Sequence, residues 1–280
     1  MKRFALIFLI GSIAFTAFAQ QPESKWATID GNKIRYYDIG NTKAKNALVL
    51  VHCWTCNVEF WKDTYNAFPG YRVIAMDLPG HGESDKPKID YSQEFFAKAV
   101  EGVMHQAGVK KAVFAGHSMG TPIMRKYYEL YPKKVLGMVI VDGSLIPYAS
   151  RAELEKFFEP FYKDYKNEAP KFVEGMLPKE AKLAAFIRSS MLATPEHVGT
   201  SAMRLMTDDS YAEHGKIDVP VLAIMAPSPY WPPDLEEKYK AMMPKLEYQM
   251  WPGTSHFLHM ERPALFNGQV KGFIIRNKLL

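Results

Sequence analysis

KAVFAGHSMG, residues 111–120, decides the reading of this chain. KAVFA has strand character, and Gly116-His117-Ser118-Met119-Gly120 follows it directly. The pattern G-x-S-x-G between a strand and a helix is the strand–turn–helix setting that lifts a serine hydroxyl above the end of a sheet. Such a turn is tight and its central residue strained, so glycines flank it where a side chain would meet the neighbouring strand or helix. The helix that starts at Met119 points its N-terminus at the serine and favours negative charge there.

On either side of this stretch, strand and helix patterns alternate. Trp26 to Asp30 and Lys33 to Ile39 flank Gly31-Asn32 as a hairpin. Ala47–His52 and Tyr71–Met76 are apolar runs of strand length, and Leu136–Val141, Val219–Met225 and Leu246–Trp251 also read as strands. Helical spacing covers Asn57–Phe68, Ser92–Gln106 with Ser92 as N-cap, Met119–Tyr131 and Pro263–Asn277. This alternation predicts a mostly parallel, eight-stranded α/β sheet with helices on both faces. Ligands in such sheets bind beyond the carboxyl ends of the strands. Residues 147–215 interrupt the pattern: they hold no strand-like run, and Arg151–Tyr165 and Lys179–Leu192 read as helices. The expected division is a sheet core, 20–146 and 216–280, with 147–215 as a helical cap over the strand ends.

Residues 1–19 stand apart. Lys2 and Arg3 precede an uncharged apolar run ending Ala17-Phe18-Ala19, the pattern of a secretory signal peptide. The run is short for a membrane span, which takes about 20 residues. Cleavage after Ala19 removes two positive charges and lowers the formal charge from +5 to +3. So small a surplus, evenly spread, gives no footprint for nucleic acid. The expectation is an exported protein, periplasmic or secreted, without stable membrane insertion once processed.

Export allows disulfides. The two cysteines, Cys53 and Cys56, are no disulfide framework, and one C-x-x-C with no second pair and no H-E-x-x-H gives no metal site. A thioredoxin-like role requires the C-x-x-C to open a helix in a smaller fold. Cys53 reads as a small, semi-apolar residue of a turn, with a bridge to Cys56 as the alternative.

A serine hydroxyl needs a base, and the base a carboxylate behind it. Among eight histidines, His256 sits just past the last strand in Trp251-Pro252-Gly253-Thr254-Ser255-His256, with His259 its competitor. The whole chain after residue 19 resembles the α/β-hydrolase superfamily, in its bacterial serine-esterase-like branch with a helical cap. The resemblance rests on LVLVHCW (48–54), VIAMDLPGHGESD (73–85), AGHSMG (115–120) and GTSHFLHMERP (253–263), in the family's order. It implies Ser118 as nucleophile, His256 as base, and an oxyanion hole from the backbone N–H groups of Trp54 and Met119. Residues 77–85 resemble a structural loop.

Two departures from the family pattern stand out. Cys53 replaces the usual glycine after His52. The strand VPVLAIM (219–225) runs into Ala226-Pro227-Ser228-Pro229 with no carboxylate before Asp234. The other family position for the acid, at the end of the preceding strand, holds Asp142. Asp142 is the expected acid and Asp234 the alternative. The implied function is hydrolysis of a carboxylic ester or similar small acyl compound through an acyl-enzyme, without cofactor. A non-catalytic small-molecule-binding homologue is the alternative.

Overall fold

The computed structural model describes residues 21–146, 149–207 and 215–280, so the expected signal segment lies outside the described residues. Eight strands form one sheet: β1 (Lys25–Ile29), β2 (Asn32–Gly40), β3 (Asn46–Val51), β4 (Arg72–Met76), β5 (Lys111–His117), β6 (Val135–Val141), β7 (Val221–Met225) and β8 (Leu246–Met250). Their spatial order is β1-β2-β4-β3-β5-β6-β7-β8. The β1–β2 and β2–β4 pairs are antiparallel, and the pairs from β4 to β8 are parallel. The hairpin turn is Asp30-Gly31, both at positive φ (48° and 79°), one residue earlier than the Gly31-Asn32 that the sequence pattern marks.

The helices are α1 (Lys62–Tyr65), α2 (Gln93–Gln106), α3 (Gly120–Leu130), α4 (Arg151–Lys163), α5 (Tyr165–Glu174), α6 (Ala181–Leu192), α7 (Glu196–Met203), α8 (Leu235–Met242), α9 (Leu258–Glu261) and α10 (Pro263–Arg276). Ser92 caps α2, its hydroxyl accepting from Phe95 N at 3.1 Å, as the sequence predicts. The helix expected over Asn57–Phe68 is instead a 3₁₀ turn, Val58–Trp61, followed by the single turn α1. Its first amide is capped from outside the turn: Val58 N–H donates to Asp77 Oδ1 at 2.7 Å. Between β6 and β7 the described residues carry four helices, where the sequence marks two. Asp164, at φ −147°, breaks the run expected over Arg151–Tyr165.

Strand alternation divides the core. Ala47, Val49 and Val51 of β3 face one way, into a cluster with Phe96, Ile123 and Tyr127 of α2 and α3. Leu48 and Leu50 face the other way, toward Trp61 and Phe266, Val270 and Phe273 of α10. A strand buried on both faces must be apolar throughout, which explains the unbroken run in β3.

Residues 77–85 form the structural loop that the resemblance implies. The buried Asp77 carboxylate accepts from Arg35 Nε at 2.7 Å and from the amides of Val58 and Glu83 at 2.7 and 2.8 Å. A Cβ at Gly82 would lie 2.2 Å from that carboxylate, so no larger residue fits there. The direction of the chain changes between β3 and β5: β4 lies on one side of β3, and β5 to β8 follow on the other. The crevice at such a reversal is where parallel sheets bind ligands.

Candidate active site

Five neighbouring strands deliver the site residues at their carboxyl ends. Ser118 follows β5 with φ +51°, a left-handed conformation that costs a serine strain. Its amide donates to Val141 O at 3.0 Å, tying the elbow to β6. A Cβ at Gly116 would meet Gly120 O at 2.6 Å, and one at Gly120 would meet Val51 O at 2.4 Å. Both glycines of the motif are therefore required by close backbone approach.

Asp142 follows β6, also at positive φ (+41°), and is almost fully buried. Its Oδ1 accepts from Ala226 N beyond β7 at 2.8 Å, and its Oδ2 lies 2.6 Å from His256 Nδ1. Asp234, the alternative acid, is half exposed at the start of α8 and pairs with Lys238 at 3.0 Å. Asp142, not Asp234, stands behind the imidazole.

His256 sits in the loop after β8. Ser255 anchors that loop, its amide and hydroxyl both donating to Glu261 Oε1 at 2.6 Å. His117 Nε2 lies 2.8 Å from the His256 carbonyl oxygen and donates to it. Burial, with His259 and His256 adjacent, holds the His117 pKa well below the ordinary 6.5, so this donor is a neutral imidazole. His259, the competing histidine, is buried against Trp61, with ring centroids 4.6 Å apart, and its pKa falls to about 3 through burial. It is a packed core residue.

The loop after β3 completes the ring. Here the structure departs from the preferred sequence reading: Cys53 and Cys56 are joined by a disulfide, with Cα atoms 5.3 Å apart, closing the turn that carries Trp54. Thr55 within it has φ +52°. Of the five non-glycine residues at positive φ among the described residues, Ser118 and Asp142 line this one crevice and Thr55 lies in the turn that carries Trp54. Strain of this kind gathers at functional sites. The N–H groups of Trp54 and Met119 donate to no protein acceptor among the described residues. Buried amides are nearly always paired, so two unpaired ones beside a serine are suited to an incoming oxygen.

His52, at the end of β3, braces the loop. Its Nε2 accepts from Leu78 N at 3.0 Å, so Nδ1 carries the proton and donates to Cys53 O at 2.8 Å. Burial lowers its pKa to about 4. Sequence reasoning missed this brace, the His117 contact and the Ala226 amide. Each joins a side chain to a backbone group far along the chain, and no local motif encodes it.

Ser118, Asp142, His256 and Trp54 line a cavity of about 610 Å³. The serine hydroxyl makes no hydrogen bond to His256 in this geometry; nucleophile–base contacts commonly tighten only when substrate binds. The far wall comes from α4 to α7 and the segment after them, including Leu154, Phe158, Met191, Met203 and Met206. The described residues hold no cluster of three metal-binding side chains and no helix long and apolar enough to cross a membrane. A hydroxyl, an imidazole oriented by a buried carboxylate, and unpaired amides are the parts required for acyl transfer through a covalent intermediate.

The family described as alpha/beta hydrolase fold matches residues 46–195, more than half of the chain. The chain is 25% identical, over 86% of its length and 91% of the relative's, to a 2-hydroxy-6-oxononadienedioate/2-hydroxy-6-oxononatrienedioate hydrolase of Paraburkholderia phymatum. It is 32% identical over 45% of its length to the dihydrolipoyllysine-residue acetyltransferase component of an acetoin cleaving system of Pseudomonas putida, but spans only 34% of that protein. Among solved structures, an esterase from Exiguobacterium antarcticum superposes with a TM-score of 0.79 at 18% identity, covering 90% of this chain and 99% of the other.

Proposed function

Because the chain belongs to the alpha/beta hydrolase family, we propose that it is a serine hydrolase cleaving a carboxylic ester or similar small acyl compound. The observation that carries this reading is the 2.6 Å contact of His256 Nδ1 with the buried Asp142 carboxylate, in the cavity that Ser118 also lines.

In this mechanism His256 Nε2 takes the proton of Ser118 Oγ as the oxygen attacks the acyl carbon. Asp142 holds the imidazole in the tautomer with its proton on Nδ1 and stabilises the imidazolium that forms. The negative charge on the tetrahedral oxygen is met by the amides of Trp54 and Met119, each such donor contributing about 3 kcal/mol. The intermediate collapses, His256 returns the proton to the leaving alcohol, and water activated by the same imidazole releases the acid. The basic start and apolar run within residues 1–19 support export to the periplasm or the exterior, where the Cys53–Cys56 bridge persists.

A fluorophosphonate probe tests this reading. The expected result is one adduct, on Ser118, with turnover of p-nitrophenyl acetate in the wild type and none above background in Ser118→Ala. Equal rates in both proteins would favour a binding protein on the same fold.

A further inference from the structure

The cavity above Ser118 is lined, among the described residues, by no lysine or arginine. The carboxylates on the wall are Asp142, committed to His256 and Ala226, and Glu153, which caps α4 at the exposed surface.

Most polar side chains of the wall are also engaged. Trp54 Nε1 donates to Gly199 O at 2.8 Å, Trp231 Nε1 to Ala226 O at 3.2 Å, and Ser255 Oγ to Glu261 at 2.6 Å. Ser144 is bonded to Ile146, and Ser228 accepts from Tyr230 N at 3.2 Å. Apart from Tyr230, the remainder is apolar. Leu154, Phe158, Met191, Met203 and Leu205 are buried along it. Phe157 and Tyr230, 52% and 63% exposed with ring centroids 6.0 Å apart, also line the cavity, on its solvent-facing side.

A carboxylate carried on the acyl group away from the scissile bond would lose its water here and meet no cation in return. Burying a charge without a partner is strongly unfavourable, whereas methylene groups gain from the same wall. We infer that this site selects uncharged esters of apolar acyl or aryl acids and rejects esters bearing a second, ionised carboxyl group. The inference deepens the serine-hydrolase reading and rests on it for turnover, though not for binding. The methionines give the wall an adaptable shape, so discrimination acts on charge more than on outline.

Three esters of matched length separate charge from size: p-nitrophenyl valerate, mono-p-nitrophenyl glutarate, and the methyl ester of the latter. The expected kcat/KM of the anionic ester is at least about 100-fold below that of the valerate, with the methyl diester recovering to within about tenfold. An anionic ester within about threefold of the valerate, or a diester as poor as the anion, overturns the inference. Titrating the three into Ser118→Ala protein, read by tryptophan fluorescence, gives the discrimination without turnover. A protein that hydrolyses none of them yet binds valerate about 100-fold more tightly than the anion keeps the inference and loses the hydrolase reading. Equal binding overturns the inference whatever the turnover. Met206→Lys places an ammonium on the wall and is expected to narrow the ratio by about tenfold or more; an unchanged ratio in folded variant protein counts against the charge argument.

Discussion

The two walls of the cavity are made of different material. On the strand side, backbone geometry and directed polar contacts fix each group: Ser118 and Asp142 at positive φ, the 2.6 Å contact to His256, and the 2.8 Å bond from His117 to the His256 carbonyl. On the helical side, thioethers and aromatic rings pack without such constraint, as in the edge contacts of Trp54 with Phe161 and Phe172 at 5.5 and 5.6 Å. Directional groups lose function when displaced by an ångström, whereas apolar surfaces re-pack. In the proposed function, the strand side then governs the rate of the chemical step and the helical side governs which molecule is held.

The sharpest way to break this division is a pair of substitutions. In Asp142→Asn the amide oxygen keeps the Ala226 bond, but its NH₂ now faces His256 Nδ1 and forces the wrong tautomer. The expected fall in kcat is about 10⁴-fold with KM little changed. Phe158→Leu, on the helical wall, should raise KM several-fold and leave kcat within about threefold. Steady-state kinetics on one neutral ester reads both. If Phe158→Leu lowered kcat as far as Asp142→Asn, the walls would not be separable.

The same contrast explains what was legible in the sequence. The elbow could be read because strand, tight turn and helix are contiguous, and both glycines answer to atoms the motif itself brings together. That β3 is buried on both faces can be read from its unbroken apolar run, though not which residue faces which way. Asp142 could be singled out only by resemblance, with Asp234 still open, because the contact that distinguishes them spans 114 residues. The helical segment was read least well. Its amphipathic spacing marks helices but not the break at Asp164, and helix α7, only eight residues long, is too short to leave a periodic signal. The disulfide runs against the preferred reading because spacing alone cannot show whether a turn brings two sulfurs together.

Acid should act on the strand side first. His52 and His81 are fully buried, and burial lowers their pKa values from 6.5 to about 4 and about 3; His259 falls to about 3. The folded state binds protons on these rings less readily than the unfolded chain. Stability is therefore complete above the unfolded value near 6.5 and is lost as pH falls from there toward 4 and 3. Each ring contributes a slope of up to about 1.4 kcal/mol per pH unit in that window. Protonating His52 also turns an N–H of Nε2 against the amide of Leu78 that it now accepts from. Urea unfolding at pH 7, 6, 5 and 4.5 should show steadily falling stability, with a slope smaller by about one proton in His81→Phe. A flat profile would mean that these imidazoles are hydrated and charged in the folded protein.

A smaller effect than that of Asp142→Asn lies where the two walls touch. The Cys53–Cys56 bridge closes a turn of four residues, and chain entropy gives so short a loop about 2 kcal/mol at most. Cys53→Ser with Cys56→Ser, or reduction by dithiothreitol, should lower stability by no more than that. The consequence for rate is more informative. The bridge flanks the Trp54 amide, and complete loss of an oxyanion donor costs about 10²- to 10³-fold. The loss should be partial, about tenfold in kcat, because the helical side also holds this turn. Trp54 Nε1 donates to Gly199 O at 2.8 Å, and Thr194 Oγ1 donates to Thr55 O at 3.0 Å. Combining the serine pair with Thr194→Val, which removes the second of these bonds, should deepen the loss beyond the product of the separate effects. Simple multiplication of the two would show that bridge and bond steady different parts of the loop. An unchanged kcat in the serine pair would show that the helices alone position the Trp54 amide, and that the specificity wall reaches into the chemistry after all.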